Sequence, residues 1–549
     1  MAQAGCKLGF LFGRMRKLVA ATFIFLTCTA AQAALPLSYQ AQSGKRIAGN
    51  SIIEILFDGT NLWVGTNNGI SKTSDGGVTW EIFNSSNNLN SDEMSALGYR
   101  PGTLLAAGAH SEIINDFEVP FGEGFNITTD GGAHWSGVRP FQASSPGMVA
   151  YDIASADTVF YASCFFGGLI RSWDGGQNWE NLFVDFVSQQ DFQDSTFAIL
   201  RNRYFSVVAD TSKLDTTIIW AGSAYGIQKI IFTDSSDFDI VYFYRKIDSS
   251  TCAFEDSFYC DSGDVAIGFH IERETFYCGS EPVMKIDTIP CPAVGNVADS
   301  DTVVQYSTIT GNFVAALGLQ KTSSGSALWA AARPTFDGIM AVNFTRDGGQ
   351  TWDTTLTDEL VWDFAFQDTI VWVATSSGLK RSSDWGKTWQ NFTGMEDLSD
   401  STRNKIFSPE FYALEAVGET LWAGGADGLV RTTDGGNTWR IYRAYQPIGS
   451  AGSTSAYAYP SPFSPHLGAG VTRIHHKPGQ SGNVTVKIFD FAMNKVITLV
   501  DNQPRIGGQE WDEPWNGRDQ DGDEVASGVY FFKVESPGQT QWGKVVVLK

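Results

Sequence analysis

The stretch Thr73-Ser-Asp-Gly-Gly-Val-Thr-Trp80 decides the fold of this 549-residue chain, because five near-copies of it follow. Each copy has the form Ser/Thr-x-Asp-x-Gly-x-x-Trp, which we call the signature. An aspartate followed by glycine predicts a tight turn, since the carboxylate can accept backbone N–H groups and glycine adopts positive φ. The tryptophan then begins the next strand and can fill space between neighbouring sheets. The six Asp and Trp pairs are Asp75 and Trp80, Asp130 and Trp135, Asp174 and Trp179, Asp347 and Trp352, Asp384 and Trp389, and Asp434 and Trp439.

These signature residues are predicted to be structural rather than catalytic. Identical groups spread around a repeat array cannot converge on one site. A basic residue precedes the signature in four units, at Lys72, Arg171, Arg381 and Arg431, and this recurrence also indicates framework. The sequence therefore assigns no catalytic, cofactor-binding or metal-binding residue.

A second recurring phrase lies upstream of the signature. Leu62-Trp-Val-Gly-Thr66 recurs at 371–375 and 421–425, and it recurs without a signature at 219–223 and 276–280. Looser copies start near residues 104, 159 and 328, so successive starts are 42 to 60 residues apart. Such spacing suits one four-stranded propeller blade per unit. The sequence predicts an all-β chain in which residues 34–448 form a single β-propeller. Eight blades are preferred, and seven follow if one loose copy is an insertion.

The signature resembles the Asp-box, or bacterial neuraminidase repeat, of sialidases, sortilin-type receptors, xyloglucan hydrolases and photosystem assembly factors. Those families share β-propellers but not a function, so the resemblance implies a scaffold and leaves the activity open. Sialidases carry an Arg-Ile-Pro element in the first blade, and the nearest match here is Arg46-Ile-Ala48, in which the proline is replaced. Xyloglucan hydrolases of this type use paired aspartates on two tandem propellers, and this chain is long enough for one.

The first 33 residues are predicted to be a secretory signal peptide. Arg14, Arg16 and Lys17 precede an apolar run over 18–28, and Ala31-Gln-Ala33 is a cleavage site of the A-x-A type. The run is too short to span a bilayer. We expect export through the general secretory pathway, to the medium or to a bacterial cell surface, with no integral membrane segment after cleavage.

The last part of the chain is predicted to be a separate module. A Gly/Ser-rich stretch marks residues 449–458 as a linker. Residues 459–549 then carry Tyr459-Pro-Ser-Pro-Phe-Ser-Pro465 and Trp515-Asn-Gly-Arg-Asp519. This order resembles the Ig-like domain of flagellar hook-capping proteins and the sorting domains of type IX secretion cargo. The resemblance implies a small Ig-like β-sandwich that serves in sorting or anchoring, with the outer-membrane secretion machinery as a partner.

Charge and cysteine content limit the partners further. The formal net charge of −22 excludes nucleic acid and anionic lipid as partners. In an oxidising compartment, four clustered cysteines could form two disulfides, with three pairings open. They are Cys252, Cys260, Cys278 and Cys291.

We expect no cofactor. Calcium at the acidic loops is the one metal left open, and Asp519-Gln-Asp-Gly-Asp523 fits a hairpin turn better than a calcium loop because its glycine is misplaced.

Three hypotheses for function follow. The preferred one is a non-catalytic recognition protein that binds a glycan or protein ligand through a propeller face. The second is a glycoside hydrolase of sialidase-like type, which the signature resemblance motivates. The third is an assembly or scaffolding factor. Paired carboxylates in a central funnel would support the hydrolase, but no pair stands out among sixty acidic residues.

Overall fold

A computed structural model describes residues 46–549 with internal gaps. The predicted signal peptide, Cys252, Cys260, Cys291, the side chain of Cys278 and most of the predicted linker lie outside the described residues. The gaps are 115–116, 141–147, 166, 183–202, 214–215, 225, 233–237, 244–245, 249–252, 256–273, 279–280, 287–308, 312, 324, 335–338, 400–403, 445–455 and 467–469.

Up to residue 443, the described residues form seven four-stranded antiparallel sheets, in each of which the strand order follows the chain. Sheet one contains β1 Ile52–Phe57, β2 Leu62–Thr66, β3 Gly69–Thr73 and β4 Glu81–Phe83, and a 3₁₀ helix, Ser85–Asn87, follows it. Sheet two contains β5 Met94–Arg100, β6 Thr103–Ile114, β7 Phe117–Thr128 and β8 Ser136–Val138. Sheet three contains β9 Ala150–Ala156, β10 Val159–Cys164, β11 Gly168–Ser172 and β12 Glu180–Asn181.

Sheet four contains β13 Tyr204–Lys213, β14 Thr216–Ser223, β15 Gly226–Phe232 and β16 Phe238–Phe243. Two hairpins follow, formed by β17 Lys246–Asp248 with β18 Ala253–Glu255 and by β19 Glu274–Cys278 with β20 Glu281–Ile286. Sheet five contains β21 Phe313–Thr322, β22 Gly325–Arg333, β23 Ala341–Thr345 and β24 Asp353–Thr355. Sheet six contains β25 Val361–Gln367, β26 Ile370–Thr375, β27 Gly378–Ser382 and β28 Gln390–Phe392. Sheet seven contains β29 Phe411–Val417, β30 Thr420–Gly425, β31 Gly428–Thr432 and β32 Arg440–Tyr442.

The seven sheets follow one another in a ring. The first strand of each sheet contacts the first strand of the next, and β29 contacts β1. The described chain is therefore all-β and propeller-like. The preferred count of eight units is wrong for the described residues, because β13 contacts β21 directly and leaves no place for a sheet between them. The phrase at residue 276 lies in the two-stranded hairpin of β19 and β20 instead.

The antiparallel order gives the ring two distinct faces. The first and third strands of each sheet run in the same direction, and the second and fourth run back. We call the face where the first strands begin the upper face, and the face where they end the lower face. The six signature turns connect third to fourth strands and therefore lie on the lower face. Connections between fourth and first strands lie on the upper face.

Signature tryptophans hold neighbouring sheets together. Trp80 of sheet one is fully buried and meets Trp422 of sheet seven edge to face, with ring centroids 6.1 Å apart. Each of the other five likewise contacts the sheet before its own. These contacts are Trp135 with Trp63, Trp179 with Phe125, Trp352 with Phe243, Trp389 with Thr355, and Trp439 with Phe392. The pair Trp352 and Phe243 also shows that sheets four and five are neighbours.

The C-terminal module is a sandwich of two antiparallel sheets around its own core. One sheet contains β33 Ala456–Tyr459, β34 Thr472–His476 and β37 Trp511–Trp515. The other contains β35 Gly482–Phe489, β36 Lys495–Arg505, β38 Gly528–Ser536 and β39 Gln539–Val547. Strand β33 begins inside the segment predicted as linker. The Ig-like assignment stays a prediction. Within the described part of the chain, no helix has the length and apolar character needed to cross a membrane.

The module docks on the upper face of sheet seven. Arg473 of β34 donates to Asp427, which lies between β30 and β31, with a distance of 2.7 Å from Nη2 to Oδ2. Arg443, which follows β32, donates to the same oxygen at 3.2 Å. At the edge of this junction, Arg46 pairs with Glu510 at 2.8 Å.

Candidate functional site

Every sheet of the ring carries a β-bulge near the start of its first strand. In sheet six, Val361 pairs with Thr375 and Asp363 pairs with Ala374, so Trp362 is an extra residue. A bulge re-aims a side chain and is common beside functional sites. The seven extra residues are Ile53, Ser95, Tyr151, Phe205, Ala315, Trp362 and Tyr412.

All seven bulged residues line one central cavity of about 470 Å³. Because each bulge lies at the start of a first strand, this ring of side chains surrounds the upper mouth of the cavity. Four of the seven are aromatic. The lining of this concave cavity combines polar and apolar surface in similar amounts, and its volume is in the usual range for a small-molecule site.

Below the mouth, four carboxyl side chains face the cavity. Glu54, Asp152 and Asp363 each follow a bulged residue directly, and Glu415 lies one alternation further along β29. Burial raises the pKa of Asp152 to about 6 and that of Asp363 to about 7. Burial, together with the charge of Asp363, raises the pKa of Glu415 to about 8. Burial and the neighbouring carboxylates also raise the pKa of Glu54 well above its ordinary value.

Two of these carboxyls also hold adjacent sheets together. Asp152 Oδ2 accepts from the backbone N–H of Val207 in sheet four at 2.8 Å. Asp363 Oδ2 accepts in the same way from Leu414 in sheet seven at 2.6 Å. Val207 and Leu414 both lie two residues after the bulge of their own strand. Each of these two carboxyls therefore accepts a hydrogen bond from a backbone N–H that lies beside the bulge of the neighbouring sheet.

A buried cation lies at the upper mouth. Arg333 ends β22, and the centre of its guanidinium lies 3.8 Å from the centroid of the Trp362 ring. Burial lowers the pKa of Arg333 to about 9. Burial also raises the pKa of Tyr151, which faces the same cavity, although the charges of Arg333 and Arg203 oppose that rise.

Aromatic rings continue around the mouth from sheet three to sheet five. Phe205 packs against Phe313 with centroids 4.6 Å apart and against Tyr151 at 5.5 Å. The Arg203 guanidinium lies 4.6 Å from the centroid of the Phe165 ring. Aromatic rings therefore line this side of the mouth, and the guanidiniums of Arg203 and Arg333 lie against some of them.

The two faces of the ring also differ in their connections. On the lower face, first and second strands are joined by two to four residues, such as 157–158 and 58–61. Fourth strands end and first strands begin on the upper face, and the stretches of sequence that separate them are longer, at 139–149, 182–203, 244–312 and 393–410. Long connections on a rigid scaffold commonly carry function. The upper face is therefore the candidate functional face.

The signature aspartates lie elsewhere. Asp75 Oδ1 accepts from the Thr79 backbone N–H at 2.9 Å, and Thr79 Oγ1 donates to Oδ2 at 2.6 Å. These bonds lower the pKa of Asp75 to about 2. The other five also bind the residue four positions on, in turns that do not line the cavity. They are Asp130, Asp174, Asp347, Asp384 and Asp434.

The basic residues before the signatures join neighbouring turns. Lys72 Nζ donates to the carbonyl of Gly131 in the next turn of the ring at 3.0 Å, and Arg431 donates to that of Gly76 at 2.8 Å. Lys229, in the sheet without a signature, donates to Gly348 at 2.7 Å. Arg46, the sialidase-like candidate, pairs with Glu510 and does not line the cavity.

The described residues contain no group of three or more His, Cys, Asp or Glu side chains placed to hold a metal ion. At the segment considered for calcium, Asp519 Oδ1 accepts from the backbone of Asp521 and Asp523 at 3.0 and 2.9 Å. Those contacts describe a turn. Cys164 is buried and free, and burial raises its pKa to about 12.

Comparison with known proteins gives distant similarities only. No protein-family model matches the chain, and no curated protein sequence matches it. Similar solved structures include PorZ, a surface component of the type IX secretion system of Porphyromonas gingivalis. That match has 16% identity and a TM-score of 0.30, and it covers 91% of this chain but 66% of that one, just under two thirds.

Two further structures are similar at the same level. YCF48 from Cyanidioschyzon merolae has 16% identity and a TM-score of 0.39 over 75% of this chain and 98% of that one. A GH74 xyloglucanase from Xanthomonas campestris has 14% identity and a TM-score of 0.28 over 90% and 69%. Because these TM-scores are low, the fold described above rests on the sheets and their contacts.

Proposed function

We propose that this chain is a recognition protein that binds a ligand at the upper mouth of the central cavity. The ring of seven bulges carries the proposal, because it aims one side chain from every sheet into a single cavity. A purely structural ring needs no such convergence of aromatic side chains. The ligand class is a glycan or a protein segment, and binding requires no catalysis.

The proposal includes the setting of the protein. The seven sheets would be the blades of one propeller, with the upper mouth of the cavity facing away from the cell. The C-terminal Ig-like module would serve in sorting or anchoring at the surface of an exporting bacterium. The docking of this module on sheet seven through Asp427 and Arg473 supports a fixed orientation of the two parts. Signal cleavage after Ala33 belongs to the same proposal.

The test is retention on an immobilised panel of bacterial, plant and animal glycans and of surface-protein fragments, using the chain from Ala34 to Lys549. Trp362→Ala removes an aromatic side chain from the mouth. Trp542→Ala is the matched control, since Trp542 is 45% exposed on the C-terminal module. We expect retention by the unaltered chain and the control, and loss of retention by Trp362→Ala. Equal retention by all three proteins, or none by the unaltered chain, would overturn the proposal.

A second candidate, glycoside hydrolysis, draws support from the raised pKa values of Asp363 and Glu415. A carboxyl that stays protonated near neutral pH can act as a general acid. One oxygen of Asp363 is committed to Leu414, which leaves Glu415 as the better candidate acid. Release of sugar from the same panel, abolished by Glu415→Gln, would support hydrolysis, and retention without release would exclude it for those glycans.

A further inference from the structure

Arg333 is a buried cation that lacks a counter-ion among the described residues. Its side chain and backbone together are only 7% exposed, and its Nε atom has no hydrogen-bond partner there. Its close neighbours at the mouth are the Trp362 ring and Tyr151, and neither carries a negative charge at neutral pH. An uncompensated buried charge is costly, so such a position is expected to receive an anion.

Three buried hydroxyl groups that belong to residues lining the same cavity also lack partners within the described part of the chain. They are Tyr151 Oη, Ser95 Oγ and Ser206 Oγ, all buried. Tyr151 and Ser95 are bulged residues, and Ser206 directly follows one. Buried hydroxyls usually have hydrogen-bond partners. Three unsatisfied hydroxyls in one cavity therefore point to a ligand that itself carries several hydroxyl groups.

We propose that the cavity binds a sugar acid, with Arg333 holding the carboxylate and the three unsatisfied hydroxyls binding the ring hydroxyls. A neutral sugar would leave the guanidinium unpaired, and an apolar acid would leave the hydroxyls unpaired. The rings of Phe205 and Tyr412 supply apolar faces on which a sugar ring can pack. The inference rests on the proposed recognition function and names its ligand class.

The experiment is calorimetric titration of the chain from Ala34 to Lys549 with D-glucuronate, D-glucose and benzoate. We expect glucuronate to bind at least about tenfold more tightly than glucose, the size of effect that hydrogen bonds to a charged group produce. Benzoate should bind more weakly than glucuronate. Titration with a disaccharide that ends in glucuronate distinguishes two sources of the sugar acid. If the natural ligand is the end of a glycan, the disaccharide should bind more tightly than free glucuronate.

Two variants separate the charge from the hydroxyls. Arg333→Gln should abolish the preference for glucuronate over glucose, and unaltered thermal unfolding would show that the variant is folded. Ser206→Ala should weaken both sugars alike. Equal binding of glucuronate and glucose, with Trp362-dependent retention on neutral glycans, would overturn this inference and leave the recognition function standing. Failure of the chain to retain any glycan or protein would overturn both. Loss of stability in Arg333→Gln without glucuronate binding would show that a carboxylate of the chain itself fills the site, and would also overturn the inference.

Discussion

Arg473 of the C-terminal module and Asp427 of sheet seven form a buried ion pair, with side chains 3% and 1% exposed. Burial alone would raise the pKa of Asp427, but the guanidiniums of Arg443 and Arg473 hold it below its ordinary value. The Asp427 carboxylate thus pairs with two cations, Arg443 of the ring and Arg473 of the C-terminal module. This pair makes the docking of the module sensitive to single substitutions.

Removing Arg473 should destabilise the junction. Arg473→Ala leaves Asp427 buried with one cation instead of two, and breaking a buried pair in this way costs about 3 kcal/mol or more. We expect denaturant unfolding of the full chain to shift accordingly. Arg518→Ala is the control, because Arg518 pairs with Glu524 at the surface, where such a pair contributes about 1 kcal/mol or less. Equal effects of the two substitutions would contradict this account of the junction.

Acid should weaken the same junction. The folded pKa of Asp427 lies below its unfolded value, so its contribution is present above the unfolded pKa and is lost as pH falls through the folded pKa. The expected result is that the stability difference between the unaltered chain and Arg473→Ala shrinks on acidification below pH of about 4. A difference that stays constant over that range would contradict the assignment.

The cavity carboxyls should produce the opposite trend at higher pH. The folded pKa values of Asp152, Asp363 and Glu415 are about 6, 7 and 8, above their unfolded values. The folded chain therefore holds protons that the unfolded chain has released, and stability falls as pH rises from about 4 to about 8. Melting temperatures at pH 5 and pH 8.5 measure this fall.

The double substitution Asp363→Asn with Glu415→Gln provides the comparison for that trend. Both replacements are neutral at every pH, and the side-chain amide oxygen introduced by Asp363→Asn can still accept from the backbone N–H of Leu414. The pH dependence should become flatter in this variant. An unchanged slope would show that the fall arises from other groups.

Trp80 should close the ring of sheets. It is fully buried and contacts Trp422 and Tyr442 of sheet seven, with centroids 6.1 and 5.7 Å away. Trp80→Ala should cost about 3–5 kcal/mol, as large-to-small core substitutions do. Denaturant unfolding measures the cost, and Trp542→Ala, at the surface of the module, should cost much less. A small change in the free energy of unfolding for Trp80→Ala would mean that Trp80 does not hold sheets one and seven together.

The repeated parts of the fold were predictable from sequence, and the residues that line the central cavity were not. Thr73 to Trp80 contains its own turn chemistry, so the signature indicates the third and fourth strands of its sheet. The count failed at residue 276 because a strand-like phrase does not show how many partner strands will pair with it. A bulge is a register shift between two strands, so no local pattern reveals that Tyr151 and Trp362 will face the same cavity. The available signal was an aromatic residue followed by aspartate early in a strand, at Tyr151-Asp152 and Trp362-Asp363. Arg333 gave no sequence signal, because its burial depends on the fold around it.

Hydrogen–deuterium exchange with a retained ligand tests whether recognition occurs at the upper mouth. We expect protection at the starts of the first strands, around Tyr151, Phe205, Trp362 and Tyr412, and at the end of β22 around Arg333. The signature turns of the lower face, such as 73–80 and 432–439, should exchange as they do without ligand. Protection confined to the signature turns or to the C-terminal module, with an unprotected mouth, would show that the ligand binds elsewhere.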